Sequence, residues 1–553
     1  MGIGRFFRLV LIFSLQKETS MNESYLGIMV DCSRNAVMSV TALKRLIDAL
    51  NKMGYNMLML YTEDTYEVDG QEKFGYLRGR YTKEELCEIV AYAKTRGIEM
   101  IPCIQTLAHL NQIFRWAQYR QIRDCDDILL AGDERTYELI DDMFATLREC
   151  YTTDLIHIGM DEAHALGKGR YKDIHGECDR FGILSRHLER VTQIAKKYGF
   201  KPMMWSDMFF RLATGGKYYT DSPEIITDSI ASCVPSEVEL VYWDYYRDSR
   251  EEYDNMIGAH KRFDNKIWFA GGAWTWSGFS PKNRVSIDRT SKAMASCRDN
   301  GIKNIFMTCW GDDGSECPIF SILPTLFYAA EIYRGNEDEK LIKQRFGELF
   351  GISFDDYMKL DLPCAIDDYY SNTTTDPDKV LVYNDLFMGL FDPVIDGIEG
   401  IAEKYAQYAR ELASLSVAEE LGYLFDCASA LCAFISKKAT LGIRVRRAYG
   451  KGDKNALAAL VREISEAVDL LDRFYFAYRK QWLAERKGSG LEIQDIRIGG
   501  LRMRLLDCQM RLSEYINSET ANIDDLEQKQ IKTYDKLSEV RWGHIASVNK
   551  LVF

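Results

Sequence analysis

From Leu26 onward the sequence repeats one pattern, a short apolar run followed by a longer stretch with apolar residues at helical spacing, eight times before residue 335. Runs of that kind read as strands buried on both faces, and their alternation with amphipathic helices is the signature of βα units around a parallel sheet. The eight runs are Leu26–Asp31, Asn56–Tyr61, Ile98–Ile104, Asp154–Gly159, Lys201–Trp205, Val238–Trp243, Lys266–Ala270 and Asn304–Cys309. Between them, Val40–Met53, Lys83–Thr95, Glu138–Tyr151, Cys178–Tyr198 and Ile287–Asn300 read as helices ending near Gly or a polar turn. No Gly-rich phosphate loop follows a strand, so the pattern predicts an α/β (β/α)8 TIM barrel over residues 24–335 rather than a doubly wound sheet.

A chain of 553 residues is too long for one barrel alone. All ten Pro lie between Pro102 and Pro393, and the Pro-free remainder has helical period. Residues 336–553 are therefore expected to form an all-α C-terminal domain, with helices over Pro393–Leu415, Val417–Tyr449, Lys454–Glu485 and Glu492–Ile516. Such a domain offers a surface for homo-oligomer formation. Residues 1–23 are an N-terminal extension: Arg5–Leu15 is apolar but too short to span a bilayer, and Met21 reads as the natural start.

A formal charge of −13 argues against nucleic acid or an anionic membrane as partner. The 14 Cys are scattered without a CxxC pair, which reads as reduced thiols and a cytoplasmic chain.

Active sites of such barrels lie where strands end. The fourth run ends in His157-Ile158-Gly159-Met160-Asp161-Glu162-Ala163-His164, the densest polar group in the chain. Adjacent carboxylates in a partly desolvated mouth raise at least one pKa, which suits general acid work. An Asp-Glu pair also suits a helix N-terminus, and His157, Asp161, Glu162 and His164 are all metal-ligand types. No other strand end supplies a matching His or carboxylate set, so we expect neither metal nor cofactor.

Five of nine tryptophans sit at or just past strand ends: Trp205, Trp243, Trp274, Trp276 and Trp310. Barrel layers favour branched aliphatics, whereas five indoles at one rim make an apolar box with polar edges, suited to a sugar ring or an N-acetyl methyl. Tyr242, Tyr245 and Tyr246 join them. Polar anchors come from other strand ends as Asp31, Arg34, Glu63, Asp64, His109, Asp312 and Asp313. Singly, Arg34 suits a surface ion pair and His109 a satisfied loop histidine.

These residues resemble glycoside hydrolase family 20, the β-N-acetylhexosaminidases. His157–Glu162 is similar to the family's His-x-Gly-x-Asp-Glu, Asp31-Cys32-Ser33-Arg34 to its Asp-x-x-Arg, and Ile101-Pro102 through His109 to its Ile-Pro-x-x-x-x-x-x-His. The resemblance covers about residues 24–330. Where the family has Tyr-x-Asp on strand seven this chain has Gly271-Gly272-Ala273-Trp274-Thr275-Trp276, and the final Trp-x-Glu is Trp310-Gly311-Asp312. The small α+β domain that usually precedes the barrel has no counterpart.

The resemblance implies an exo-acting enzyme that removes terminal non-reducing β-linked GlcNAc or GalNAc from an oligosaccharide or glycoconjugate, with retention. The substrate's 2-acetamido oxygen is then the nucleophile and an oxazolinium the intermediate. Glu162 is the implied acid and base, and Asp161 orients the acetamido group. A tyrosine donates to the acetamido carbonyl; strand alternation favours Tyr245, on the side of Trp243, with Tyr242 as the alternative. Arg34 is implied to hold sugar hydroxyls, Trp310 to form the pocket floor and Asp312 to replace the outer-hydroxyl carboxylate. A degenerate barrel that binds N-acetylhexosamine without turnover is the competing expectation.

Overall fold

The computed structural model describes residues 24–366, 376–532 and 535, so the expected N-terminal extension lies outside the described residues. Eight parallel strands form a closed barrel: β1 (Leu26–Asp31), β2 (Met57–Tyr61), β3 (Glu99–Cys103), β4 (Leu155–His157), β5 (Lys201–Trp205), β6 (Glu239–Trp243), β7 (Ile267–Gly272) and β8 (Ile305–Cys309). Closure is made by β1, which pairs Gly27 with both Phe306 of β8 and Met57 of β2. The architecture expected from the alternating runs is the one observed.

Alternation along each strand sorts the side chains into two layers. Met29, Met59, Tyr61, Trp205, Val241, Trp268 and Phe306 point inward. Their neighbours Ile28, Leu58, Leu60, Met204, Leu240 and Tyr242 point outward into a second apolar cluster. Methionines and large aromatics fill this interior, and its uppermost rings are the ones that reach the rim.

The main barrel helices are α1 (Val40–Met53), α2 (Lys83–Lys94), α3 (Glu134–Cys150), α4 (Arg180–Lys197), α5 (Asp207–Thr214), α6 (Arg250–His260), α7 (Asn283–Asp299) and α8 (Leu323–Tyr333). Caps readable in the sequence set their starts. Ser39 Oγ accepts from the Ala42 N–H at α1, and Thr82 with Glu85 closes a capping box on α2.

Most strand ends fall within one residue of the expected ranges, and two C-terminal ends depart by two residues. β4 stops at His157, because Gly159, Met160 and Glu162 all have positive φ and leave the ladder. β7 runs on through Gly271 and Gly272, where a Cβ on Gly272 would meet Trp276 at 2.7 Å and Tyr245 at 3.0 Å.

The C-terminal region is helical, built mainly from α9 (Ile401–Ala413), α10 (Glu419–Lys438), α11 (Leu441–Gly450), α12 (Lys454–Glu485) and α13 (Leu491–Ile516). Two of the helices expected here are broken. Pro393–Leu415 is interrupted before α9, which starts after Gly400 at φ 66°. Val417–Tyr449 divides into α10 and α11 where the buried Lys438 turns inward to donate to the Leu381 and Asn384 carbonyls.

One apolar cluster runs from the outer face of the strands through the barrel helices into this region. The end of α12 reaches the barrel mouth. The buried Glu485 accepts from the Ile319 N–H at 2.6 Å and the Tyr423 hydroxyl at 2.8 Å, while its carbonyl accepts from the Ser39 N–H. Lys487 N–H donates to the Val37 carbonyl, and Gly490, at φ 94°, lies so close to the Asn35 carbonyl that a Cβ would overlap it. The loop after β1 is thus braced by the helical region. Glu485→Leu strands two buried donors and should lower the unfolding free energy by about 1–3 kcal/mol for each, measured by urea denaturation.

Candidate active site

The barrel mouth holds an open pocket lined by residues from seven loops and strand ends. Arg34, His109, Asp161, Glu162, Trp205, Trp243, Tyr245, Trp276, Trp310 and Asp312 all face it, together with Tyr246. Of the residues expected at the site, Trp274, the alternative tyrosine Tyr242 and the anchors Asp31, Glu63 and Asp64 stand back from it.

Asp161 is buried, and its surroundings are built to keep it ionised. Gln105, two residues past β3, donates its amide to Asp161 Oδ1 at 2.6 Å and accepts from the Met160 N–H at 3.0 Å. The Gln105 oxygen occupies the space of a side chain on Gly159, where a Cβ would lie 2.1 Å from it. His109 Nε2 lies 3.3 Å from Asp161 Oδ2. Burial raises the Asp161 pKa, but the His109 cation and the Gln105 hydrogen bond outweigh it and hold the carboxyl well below its usual range. Reciprocally, burial lowers His109, yet Asp161 prevails and pushes the imidazole up to about 10. An imidazolium–carboxylate pair therefore sits at the pocket wall. Gln105 carried no signal in the strand-end motifs.

Glu162 is held differently. Its φ of 51° turns it away from its neighbour, and its side chain is 39% exposed. Arg211 Nη2 donates to one oxygen at 3.1 Å, and His109 stands 4.0 Å from the other. The carboxyl that this mouth pushes up, to about 7, is Asp207, the first residue of α5, raised by burial and by the Asp161 charge. Neither Asp207 nor Arg211 was among the expected residues; the strand-end position of Asp207, just after Trp205, was the available signal.

Positive φ recurs at His109, Met160 and Glu162, an uncommon conformation for residues other than Gly. Such backbone is retained where surrounding contacts over-determine it, and it clusters at functional sites. His157 sits beneath them, fully buried against Trp205 at 4.3 Å between ring centres. Burial lowers its pKa to about 3, so it is neutral. His157, Asp161, Glu162 and His164 do not converge, and among the described residues no group of three such side chains could hold a metal ion.

The aromatic wall is continuous. Trp243 stacks on Tyr245 at 5.4 Å, Tyr245 meets Trp276 edge-on at 5.4 Å, and Trp205 meets Trp310 at 6.0 Å. Trp274 is a correction: it stacks behind Trp276 at 4.4 Å and is 2% exposed, with its backbone N–H donating to Ser286 Oγ of α7 and the Lys282 ammonium 5.7 Å from its ring centre. Of the two tyrosines weighed for the acetamido contact, Tyr245 lines the pocket, as does its neighbour Tyr246, whereas Tyr242 faces outward and gives its hydroxyl proton to Asp244. Trp310 Nε1 donates to the Tyr245 oxygen at 3.0 Å, leaving the phenol proton for another acceptor. Burial keeps that proton bound well above the usual range.

Arg34 pairs with the buried Glu63 and lies 3.9 Å from Asp312 at the rim. Asp31 stands behind it, accepting from the Ser33 N–H and hydroxyl and, across the barrel seam, from the Gly311 N–H at 2.9 Å. One carboxylate thus fixes the two loops that present Arg34 and Trp310.

Residues 24–251 match the family model of the glycosyl hydrolase family 20 catalytic domain, and residues 355–544 match that of the Glycoside Hydrolase 20C C-terminal domain. Together the two matches span well over half of the chain. The chain belongs to glycoside hydrolase family 20. Among curated family 20 relatives, Hexosaminidase D of Homo sapiens is 25% identical over 224 residues, covering 39% of this chain and 44% of that protein. Hexosaminidase D of Bos taurus is 23% identical over 269 residues, covering 46% of this chain and 72% of that protein. The chain therefore spans less than half of the human relative's length. A solved family 20 structure, the exo-β-N-acetylglucosaminidase of Vibrio harveyi in complex with N-acetylglucosamine, aligns with a TM-score of 0.44 at 17% identity, over 58% of this chain and 56% of that one.

The family 20 pocket yields a direct electrostatic test. The His109 pKa is raised in the folded state, so the stability it contributes is complete below its ordinary value near 6.5 and is lost as pH rises through about 10. The His109 NMR resonance should titrate near 10 in the native protein. In Asp161→Asn, with its main counter-charge removed, it should titrate well below 10.

Proposed function

We propose that the chain is an exo-acting β-N-acetylhexosaminidase that removes terminal non-reducing β-linked GlcNAc or GalNAc by substrate-assisted, retaining hydrolysis. The observation that carries this reading is the unequal treatment of two adjacent carboxylates at one pocket wall. Asp161 is locked and ionised, and Glu162 is half-exposed at the mouth. A carboxylate that cannot move and cannot take up a proton near neutrality suits the stabilisation of positive charge. One at the mouth can exchange a proton with a leaving group and then with water.

In this mechanism the sugar packs against the Trp243, Trp276, Trp205 and Trp310 rings, with Arg34 and Asp312 toward its outer hydroxyls. Glu162 gives its proton to the glycosidic oxygen as the C1–O bond breaks. The acetamido oxygen forms the new bond to C1, and the alcohol departs. Tyr245 donates its phenol proton to the acetamido oxygen, and Asp161 accepts from the acetamido N–H, which carries part of the oxazolinium charge. Glu162, now ionised, takes a proton from water as that water attacks C1 on the face the leaving group vacated. The configuration is retained and the acetamido group restored. No enzyme nucleophile is required, which accounts for two carboxylates side by side rather than across the sugar.

The test compares an aryl N-acetyl-β-glucosaminide with the corresponding β-glucoside. Turnover of the first alone is expected; a comparable rate on the second would sink substrate assistance, because that sugar carries no internal nucleophile. Asp161→Asn should lose about 10²–10⁴-fold on every leaving group, and Glu162→Gln a similar factor only where the leaving group needs a proton. Tight binding of GlcNAc with no turnover of any acetamido glycoside would favour a sugar-binding barrel instead.

A further inference from the structure

The Asp207–Arg211 pair lies at the end of β5, outside the motifs that carry the proposed reaction. Asp207 is fully buried as the first residue of α5. Its Oδ2 accepts from the Arg211 Nε at 2.8 Å, one helical turn away, and from the Glu162 backbone N–H at 3.1 Å. Its Oδ1 is buried without a hydrogen-bond partner. A carboxylate in that position is costly unless its charge is opposed, and Arg211 is the cation that opposes it.

Arg211 is in turn fixed on several sides. Nε goes to Asp207, Nη1 to the Gly216 carbonyl at 3.3 Å and Nη2 to Glu162 Oε1 at 3.1 Å. The guanidinium lies 5.8 Å from the Tyr218 ring centre and 6.0 Å from that of Trp243, a member of the pocket wall. A planar group held this way has one orientation, whereas a lysine in its place could satisfy Asp207 or Glu162 but not both with fixed geometry. Asp207 therefore grips Glu162 twice, through its backbone directly and through its side chain by way of Arg211. The other charged groups around this cluster are Asp161 and His109 on the far side of Glu162, and His164 beside Arg211.

We propose that Asp207 and Arg211 are positioning residues for Glu162: the buried carboxylate orients the guanidinium, and the guanidinium sets where the Glu162 side chain meets the glycosidic oxygen. This rests on Glu162 being the acid and base of the proposed hydrolysis. Neither residue touches the sugar. Their effect is confined to steps in which Glu162 moves a proton, and it grows with the leaving group's need for one.

The experiment measures kcat and KM for two β-N-acetylglucosaminides, 4-nitrophenyl with an activated leaving group and N,N′-diacetylchitobiose with a poor one. In Arg211→Gln, kcat on the disaccharide should fall on the order of 10²-fold, the aryl substrate should change by less than about 5-fold, and both KM values should stay within about 2-fold, since Arg211 makes no sugar contact. Arg211→Lys should recover part of the loss on the disaccharide. Asp207→Asn, which keeps shape while removing the charge, should reproduce the Arg211→Gln pattern even if Arg211→Gln itself folds poorly. Combined with Glu162→Gln, Arg211→Gln should add no further loss, because the group it positions is already gone.

Equal losses on both substrates, or an additive loss in the double variant, would overturn the proposal while leaving the hydrolase reading intact. Absence of turnover in the native protein on both substrates would overturn that reading and this inference with it.

Discussion

Asp161 is a negative charge kept inside the protein, and the arrangement of the mouth follows from keeping it there. Desolvation alone would raise its pKa, so an amide donor and a cation from the third strand's loop must both be brought against it. That requirement explains the backbone around it. Gln105 can reach only because position 159 has no side chain, and His109 faces the carboxylate from a left-handed conformation that an ordinary loop would avoid. Local strain of that kind costs on the order of 1–3 kcal/mol per residue. It persists because the barrel beneath is closed and filled with large side chains.

The same charge divides the labour between neighbours. Two carboxylates adjacent in sequence would repel in a common environment, but the positive φ at Glu162 sends it toward the mouth and toward α5 while Asp161 stays against β3. Repulsion from Asp161 is felt instead at Asp207, which sits behind both. The cluster counts three carboxylates and two cations. The aromatic wall opposite supplies apolar faces and, at the Tyr245 oxygen that accepts from Trp310, one hydroxyl within the pocket.

Much of this was legible in the sequence, and the limits have physical causes. Apolar runs alternating with amphipathic helices narrow the layout to a barrel or a doubly wound sheet, both of which bury the strands on two faces, and the lack of a Gly-rich phosphate loop after any run points to the barrel. The His157–Glu162 segment and the strand-end tryptophans locate the pocket because barrel topology brings strand ends together. Tyr245 and Tyr242 were separable by alternation, and the structure gives Tyr245 the pocket and Tyr242 the outer layer. Trp274 was not separable from Trp276: both follow the same strand, and which of the two stacked rings faces the cavity is set by the tertiary path of the loop after β7. Asp207 and Arg211 were missed because an acid at the first turn of a helix with an Arg four residues on is ordinary helix chemistry. Only the packing of α5 against the β4 loop makes it otherwise. The broken C-terminal helices follow from tertiary contacts of Lys438 and from Gly400, neither of which disturbs the apolar period.

The brace between the end of α12 and the loop after β1 has a consequence for the order in which the molecule can be completed. Lys487 holds residues of the β1 and β2 loops from more than 400 positions downstream, donating to the Val37 and Arg80 carbonyls. On a ribosome, the strand that begins the barrel emerges long before the helix that secures its loop. The last barrel strand emerges once residue 309 is out, but the segment presenting Arg34 acquires its final support only after residue 490 has left the exit tunnel. The final geometry of the barrel mouth is thus among the last features the nascent chain acquires.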